Sequence, residues 1–194
     1  MVRKATHEDK QLVVEILVSA FAPITVKNSI NFVVKQDEKR LERMQILMEY
    51  LFERSMRYGD VYLSDNHKAC LLVKTQHHES ISLKSIREDL RLVFKCIGIS
   101  RVANVLRRQR IVQHYYPKRP HIKPVILGAK NAAICTGTAA RLLLKLKVAY
   151  QDNTLPIIVD AADEDNVKLY QKFGFRVIGK EENLGFPIYL LQLN

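Results

Sequence analysis

A loop of mostly small residues leads into a helix in the second half of the chain, and this arrangement suits a phosphate group. The loop covers residues 130–136, and Gly137-Thr138-Ala139 opens the helix that follows. The first turn of a helix has unpaired backbone N–H groups and carries roughly half a positive charge, so it attracts anions. Because the side chains are small, phosphates can approach the backbone. The spacing therefore predicts a pyrophosphate cradle.

Four elements are needed to hold this loop in place. An apolar strand over residues 124–129 precedes it, and a helix over residues 141–150 follows it. A second strand over residues 155–161 and a short helix over residues 166–173 come next. The first helix has a broad apolar face, formed by Leu142, Leu143, Leu144, Leu146 and Val148. This periodicity predicts a helix packed on a sheet.

Two motifs in this stretch resemble those of the GNAT acyltransferase superfamily. The family's acyl-CoA motif, Gln/Arg-x-x-Gly-x-Gly/Ala, falls on Ile134-Cys135-Thr136-Gly137-Thr138-Ala139. The glycine and the final small residue match, whereas the leading position is Ile134. The family's Asn-x-x-x-Tyr-x-x-x-Gly-Phe signature falls on Asn166, Tyr170 and Gly174-Phe175, with every anchor residue present. The two motifs also have the family's order and spacing.

The resemblance implies one α/β domain over residues 1–194. Its central sheet is expected to be mixed and largely antiparallel, with helices on both faces and a splay between strands four and five. An additional helical insertion at about residues 84–116 precedes the cofactor strand, and Pro120-His121 resembles the pair that opens this strand in some family members. We expect a monomer or a homodimer.

The same resemblance implies acetyl-CoA as co-substrate, bound in the wedge between strands four and five. The pantetheine arm is expected to pair with the strand backbone like an extra strand. Tyr170 lies on the same helical face as Asn166, and its phenol is expected to protonate the departing thiolate. The alternatives are that Tyr170 is an aromatic residue packed on the sheet and that Asn166 caps the last helix. The implied cofactor contacts are Leu127, Ala129, Ile134, Cys135, Thr136, Gly137, Thr138, Ala139, Asn166 and Tyr170.

The implied function is direct transfer of an acetyl group to a primary amine of a small molecule, protein or peptide. Candidate acceptor-site residues are Asn31, Phe32 and His121, and purely structural roles are open for all three. Asp160 and Glu182 are weaker candidates for a general base. Cys135 is not expected to be a nucleophile, because the family transfers the acyl group directly and no paired base is evident.

A second reading is a GNAT-fold protein that binds CoA or another ligand without catalysis. It follows from Ile134, because Gln or Arg at that position normally helps to fix the loop and the phosphates. Pyrophosphate binding would then rest mainly on backbone N–H groups, with help from Arg141 or from basic residues of the insertion.

Composition fits a globular protein of one domain. The hydrophobic fraction is 47%, no apolar run approaches the ~20 residues of a membrane span, and residues 1–8 lack the apolar core of a signal peptide. We therefore expect a cytoplasmic protein without a membrane partner. Cys70, Cys96 and Cys135 are widely spaced and odd in number, which predicts reduced thiols and no metal site.

The positive charge is concentrated in the insertion. The chain has a net charge of +11, and residues 84–123 hold eleven basic and two acidic residues, a net charge of +9. A solvated helical face is the ordinary interpretation, and a surface for an anionic ligand, nucleic acid or an anionic membrane is the alternative. Only Phe94, Tyr115 and Tyr116 lie among the basic residues, which argues against nucleic acid. Apolar positions, including Leu90, Phe94, Ile99 and Leu106, recur along the predicted helices.

Periodicity along the rest of the chain completes the fold. It predicts a first strand at residues 2–5, a capping box at Thr6 and Asp9, a helix that Pro23 ends, and a loop over residues 24–35. A helix over residues 38–57 has an inward face of Leu41, Met44, Leu47, Met48 and Leu51. Hairpins are predicted at residues 61–74 and 176–193.

Overall fold

The computed structural model describes residues 2–75, 82–116, 120–130 and 137–193. Three of the expected pyrophosphate contacts, Ile134, Cys135 and Thr136, lie outside these ranges. In the described residues, short apolar runs form the buried central strands, and the amphipathic segments between the strands form helices that cover the sheet on both faces.

In the described part of the chain, seven strands form one mixed sheet with the order β1-β2-β3-β4-β5-β7-β6. All neighbours are antiparallel except β4 and β5, which are parallel and paired only at Ile122 and Ile157. The predicted splay between strands four and five is therefore confirmed. The strands are β1 (Val2–Lys4), β2 (Gly59–Ser64), β3 (Ala69–Thr75), β4 (Ile122–Ala129), β5 (Ile157–Ala161), β6 (Arg176–Glu181) and β7 (Ile188–Leu193).

Helices occupy the segments where the sequence is amphipathic. The predicted capping box forms, since the Asp9 carboxylate accepts a hydrogen bond of 2.8 Å from the Thr6 N–H. The helices are α1 (Lys10–Phe21), α2 (Ser29–Val33), α3 (Arg40–Tyr58), α4 (Leu83–Leu92), α5 (Val102–His114), α6 (Thr138–Ala149) and α7 (Glu164–Lys172). A π-helical turn (Val93–Ile97) extends α4, and Gly98, with φ of 82°, separates it from the second half of the insertion.

One face of the sheet packs against α1 and α3, and the other packs against α6 and α7. The α1 contact is so close that a Cβ on Gly128 would lie 2.7 Å from Cδ2 of Leu17. Two adjacent residues of β7 point to opposite faces of the sheet. Leu191 packs in the apolar cluster of α6 and α7, whereas Leu190 packs with Val112 of α5. Helix α5 therefore covers the β5–β7 half of the sheet, on the face opposite α6.

Several local predictions are wrong. Residues 24–35 were predicted to form a loop, but Asn28 caps the short helix α2, its side chain accepting a hydrogen bond of 2.8 Å from the Asn31 N–H. Leu41, predicted to face inward, is exposed, and so are Leu144 and Val148 of the apolar face predicted for α6. A regular apolar spacing marks a helix, but it does not define the width of the buried stripe.

No helix in the described part of the chain is long and apolar enough to cross a membrane.

Candidate active site

The divergence of β4 and β5 opens a cleft of about 220 Å³. Only Ile122 of β4 pairs with β5, so the edge of β4 beyond it has no strand partner on that side among the described residues. An open strand edge of this kind accepts an extended ligand as an additional strand. The cleft is lined by the 24–30 segment, by Pro124, Val125, Ile126 and Leu127 of β4, and by Asp160, Ala161, Ala162, Asp163, Asn166 and Tyr170.

The N-terminus of α6 follows the open edge of β4. Gly137 is the N-cap and has φ of 67°, in the left-handed region that favours glycine. An added Cβ there would meet nothing within 4 Å, so a ligand can approach the helix end. Thr138, the first residue of α6, is buried. The expected contacts Leu127, Ala129, Gly137, Thr138 and Ala139 thus lie along the end of β4 and the start of α6.

Asn166 and Tyr170 line the same cleft, one turn apart on α7. Asp163 caps this helix by accepting a hydrogen bond of 2.8 Å from the Asn166 N–H, and the Asn166 amide donates to the same carboxylate. The alternative in which Asn166 itself is the cap is therefore wrong.

The Tyr170 ring packs edge-on against Phe175 at a centroid distance of 5.4 Å. Burial raises the pKa of its phenol above the usual value, and the negative charges of Asp160 and Asp163 raise it further. The phenol is therefore protonated at neutral pH. A protonated hydroxyl in the cleft can donate a proton to an anionic leaving group.

Asp160 sits in a partly buried polar network that the sequence did not predict. Its Oδ1 accepts a hydrogen bond of 3.0 Å from the Tyr116 hydroxyl and lies 3.4 Å from Nζ of Lys123. Its Oδ2 lies 3.5 Å from Arg108. Burial opposes ionisation, but the charges of Lys123 and Arg108 outweigh it and hold the pKa of this carboxyl below its usual range. A carboxylate held between two cations is a poor proton acceptor, so Asp160 does not fit the role of general base.

The insertion contributes two members of this network. Arg108 comes from α5 and also donates a hydrogen bond of 2.6 Å to the Ser29 hydroxyl. Tyr116 follows α5, and the Lys123 ammonium lies 4.4 Å from the centre of its ring. The surplus of basic residues at 84–123 was the only sign in the sequence that part of this segment faces the cleft, and the sequence did not show which residues do so.

The other candidate acceptor residues lie elsewhere. Asn31 is buried and donates hydrogen bonds of 2.8 Å to the carbonyls of Ile24 and Val26, so it shapes the loop beside the cleft. Phe32 packs against Phe186 at 5.8 Å. His121 is buried and stacks on Tyr116 at 5.2 Å. The structure thus places all three outside the lining of the cleft.

The remaining candidates have ordinary surroundings. Glu182 is exposed and pairs with Lys180 at 2.5 Å. Cys70 and Cys96 are buried free thiols, and burial raises the pKa of both. Cys135 lies outside the described residues. Two described carboxylates line the cleft, and neither is a free base. Asp160 is paired with cations, and Asp163 caps α7.

Comparison with solved structures defines the fold. A protein described as histone acetyltransferase HPA2 and related acetyltransferase from Corynebacterium glutamicum is 18% identical, with a TM-score of 0.72 over 99% of this chain and 94% of that one. Arylalkylamine N-acetyltransferase 2 from Aedes aegypti is 12% identical, with a TM-score of 0.68 over 100% and 97%. Polyamine N-acetyltransferase from Drosophila melanogaster is 13% identical, with a TM-score of 0.64 over 100% and 99%.

No protein-family model and no curated protein sequence matches the chain. The likeness to these structures nevertheless extends over almost the whole chain. The chain has the fold of the GNAT acetyltransferases, as the sequence motifs predicted.

Proposed function

We propose that this protein is an acetyl-CoA-dependent N-acetyltransferase that acts on a primary amine of a small molecule, protein or peptide. The observation that carries the proposal is the cleft between β4 and β5, which has an open strand edge on one side and Tyr170 and Asn166 on the other. The proteins of like fold include acetyltransferases of arylalkylamines and polyamines, which supports acetyl transfer to an amine.

Each part of the cleft has a distinct task in this reaction. Acetyl-CoA supplies a thioester whose carbonyl carbon the acceptor amine attacks. The backbone of β4 near Leu127 pairs with the pantetheine arm, and the N-terminus of α6 at Gly137 faces the pyrophosphate. The Tyr170 phenol donates its proton to the thiolate as the C–S bond breaks. With no free carboxylate base lining the described cleft, we assign removal of the ammonium proton to water.

A thermal-shift titration tests the co-substrate. A ligand at a hundred times its dissociation constant stabilises the native state by roughly 2.7 kcal/mol, so CoA and acetyl-CoA should raise the melting temperature. Gly137→Glu should abolish the shift by placing a carboxylate against the phosphates. Gly137→Ala is the matched control, because it introduces a Cβ at the same left-handed φ without the charge. A folded wild type that shows no shift at millimolar CoA would contradict the proposal.

Tyr170→Phe tests the proton donor, because it removes one hydroxyl and leaves the ring packed on Phe175. With an amine that the wild type acetylates, turnover should fall by ~10²-fold while CoA binding is unchanged. Tyr189→Phe is the control, since Tyr189 lies outside the lining of the cleft and its hydroxyl donates to Glu164 at 3.4 Å. Full turnover by Tyr170→Phe, when chemistry limits the rate, would make Tyr170 a packing residue.

The second candidate function is ligand binding without catalysis. Two observations favour it: Ile134 stands at the usual Gln/Arg position, and no free carboxylate base lines the described cleft. CoA binding in the thermal-shift titration together with no thiol release for any screened amine would favour this candidate over the enzyme.

A further inference from the structure

Helix α4 is amphipathic, but its apolar side faces solvent. Leu83, Ile86, Leu90 and Phe94 recur three or four positions apart along α4 and the π-helical turn, so they lie on one side of the helix. Leu83 is 88% exposed, Leu90 51% and Phe94 58%. We call these four residues the apolar stripe. An apolar helix surface of this length that faces water indicates a contact with another phase or molecule.

Ionic contacts with α3 hold the opposite side of α4 in place. Glu88 of α4 pairs with Arg57 at 2.9 Å, and Arg91 pairs with Glu49 at 2.7 Å. Lys84 pairs with Glu53 at 3.4 Å, and the Tyr50 hydroxyl donates a hydrogen bond of 2.8 Å to Asp89. Together with Leu92 and Cys96, which pack in or against the apolar core of α1 and α3, these contacts determine the orientation of α4. Outward exposure of the stripe is therefore part of the fold.

Basic residues flank the stripe. Successive helical residues are rotated by about 100°, so Arg87 lies beside the stripe and Lys95 lies farther round the same flank of the helix. Arg87 and Lys95 are exposed and have no ion-pair partner among the described residues. Exposed Arg107 and Arg110 on α5 add to the positive charge of the insertion.

We propose that the apolar stripe is a docking surface for an anionic phospholipid membrane. A helix with leucine and phenylalanine on one side and Lys/Arg on its flank lies in the plane of a membrane interface, with its apolar side in the acyl boundary. Anionic headgroups complement the flanking cations, each of which contributes to the attraction. The segment Leu83–Ile97 is about 22 Å long at 1.5 Å per residue, which suits an interfacial helix.

This inference departs from the sequence expectation of no membrane partner. The sequence showed the charge and the periodicity of the insertion, but not that the apolar side is exposed. Two other occupants fit the surface less well. Nucleic acid binds through stacked aromatic side chains, and the stripe has only Phe94. A second copy would bring another strongly basic insertion next to the same exposed cations.

Vesicle sedimentation tests the proposal with the full chain. The protein should bind vesicles that contain phosphatidylglycerol, should bind phosphatidylcholine vesicles much less, and should lose binding as salt increases. Leu90→Glu should weaken binding to anionic vesicles roughly tenfold or more, because it places a charge in the apolar stripe. Val148→Glu is the matched control, since Val148 is similarly exposed, at 57%, on α6, and it should leave binding unchanged.

Four outcomes would overturn the proposal. The first is the absence of binding to anionic vesicles by folded wild type, and the second is equal weakening by Leu90→Glu and Val148→Glu. The third is a protein that does not bind vesicles but forms a dimer in analytical ultracentrifugation, with Leu90→Glu dissociating the dimer. This result would assign the stripe to a second copy. The fourth is binding of an oligonucleotide at physiological salt that prevents vesicle binding. Weak binding by Arg87→Glu, with the stripe intact, would further support an anionic surface.

Discussion

Helices α4 and α6 have similar sequence patterns, but their apolar sides face different surroundings. Both combine recurring leucines with lysines and arginines. Helix α6 buries Leu142, Leu143 and Leu146 against the sheet. Helix α4 forms ion pairs with α3 and turns Leu83 and Leu90 toward solvent. Hydrophobic periodicity therefore shows that a helix forms. Which side of the helix packs depends on the neighbouring surface, and the periodicity of the helix carries no information about that surface.

Truncating one leucine in each helix should give the largest difference. Leu146→Ala on α6 should lower the free energy of unfolding by about 2–5 kcal/mol, because it leaves a cavity beside the sheet. Leu90→Ala on α4 should change it by less than about 0.5 kcal/mol, because Leu90 contacts water. Urea denaturation followed by circular dichroism measures both. Equal losses would mean that α4 is packed through its leucines.

Removing an ion pair of α4 should have a smaller effect. Glu88→Gln leaves the partly buried Arg57 without its 2.9 Å partner and should lower the free energy of unfolding by about 1 kcal/mol. Lys168→Gln, which breaks the exposed Lys168–Asp165 pair on α7, should fall within about 0.5 kcal/mol of the wild type. If the two variants are equally stable, the ionic contacts do not hold α4.

Acid should loosen α4 before α6, and this is the smallest of the three effects. Burial opposes ionisation of Glu53, but hydrogen bonding and charge from Lys10 and Lys84 hold its pKa below the usual value. Its contribution to stability is therefore present above the unfolded pKa of about 4.3 and is lost as pH falls through the folded pKa. Hydrogen exchange at pH 7 and pH 4, corrected for intrinsic rates, should show earlier loss of protection in α4. Simultaneous loss in both helices would contradict this.

Much of the fold could be predicted from the sequence because the informative signals are local. The Asn166, Tyr170 and Gly174-Phe175 anchors placed α7 beside the cleft, and the apolar runs placed β4 and β5. Gly98 lies at the break in the insertion, where its φ of 82° favours glycine.

The partly buried network around Asp160 could not be predicted in the same way. Its members Arg108, Tyr116, Lys123 and Asp160 come from four places in the chain. Lysines and arginines in a basic segment look alike in the sequence, and only the packing of α5 on β7 brings Arg108 to Asp160. The exposure of the apolar stripe was missed for the same reason, since it depends on acidic and basic partners in α3.

The single residue pair between β4 and β5 has a mechanical consequence. The sheet has two parts, β1–β4 and β5–β7, and strand pairing joins them at a single residue pair, Ile122 and Ile157. Tyr116 contacts both parts of the sheet, because its hydroxyl donates a hydrogen bond to Asp160 of β5 and its ring packs against the ammonium group of Lys123 of β4. A side chain that belongs to neither part of the sheet therefore connects the two parts beside the cleft. The width of the cleft thus depends on the position of the inserted helices.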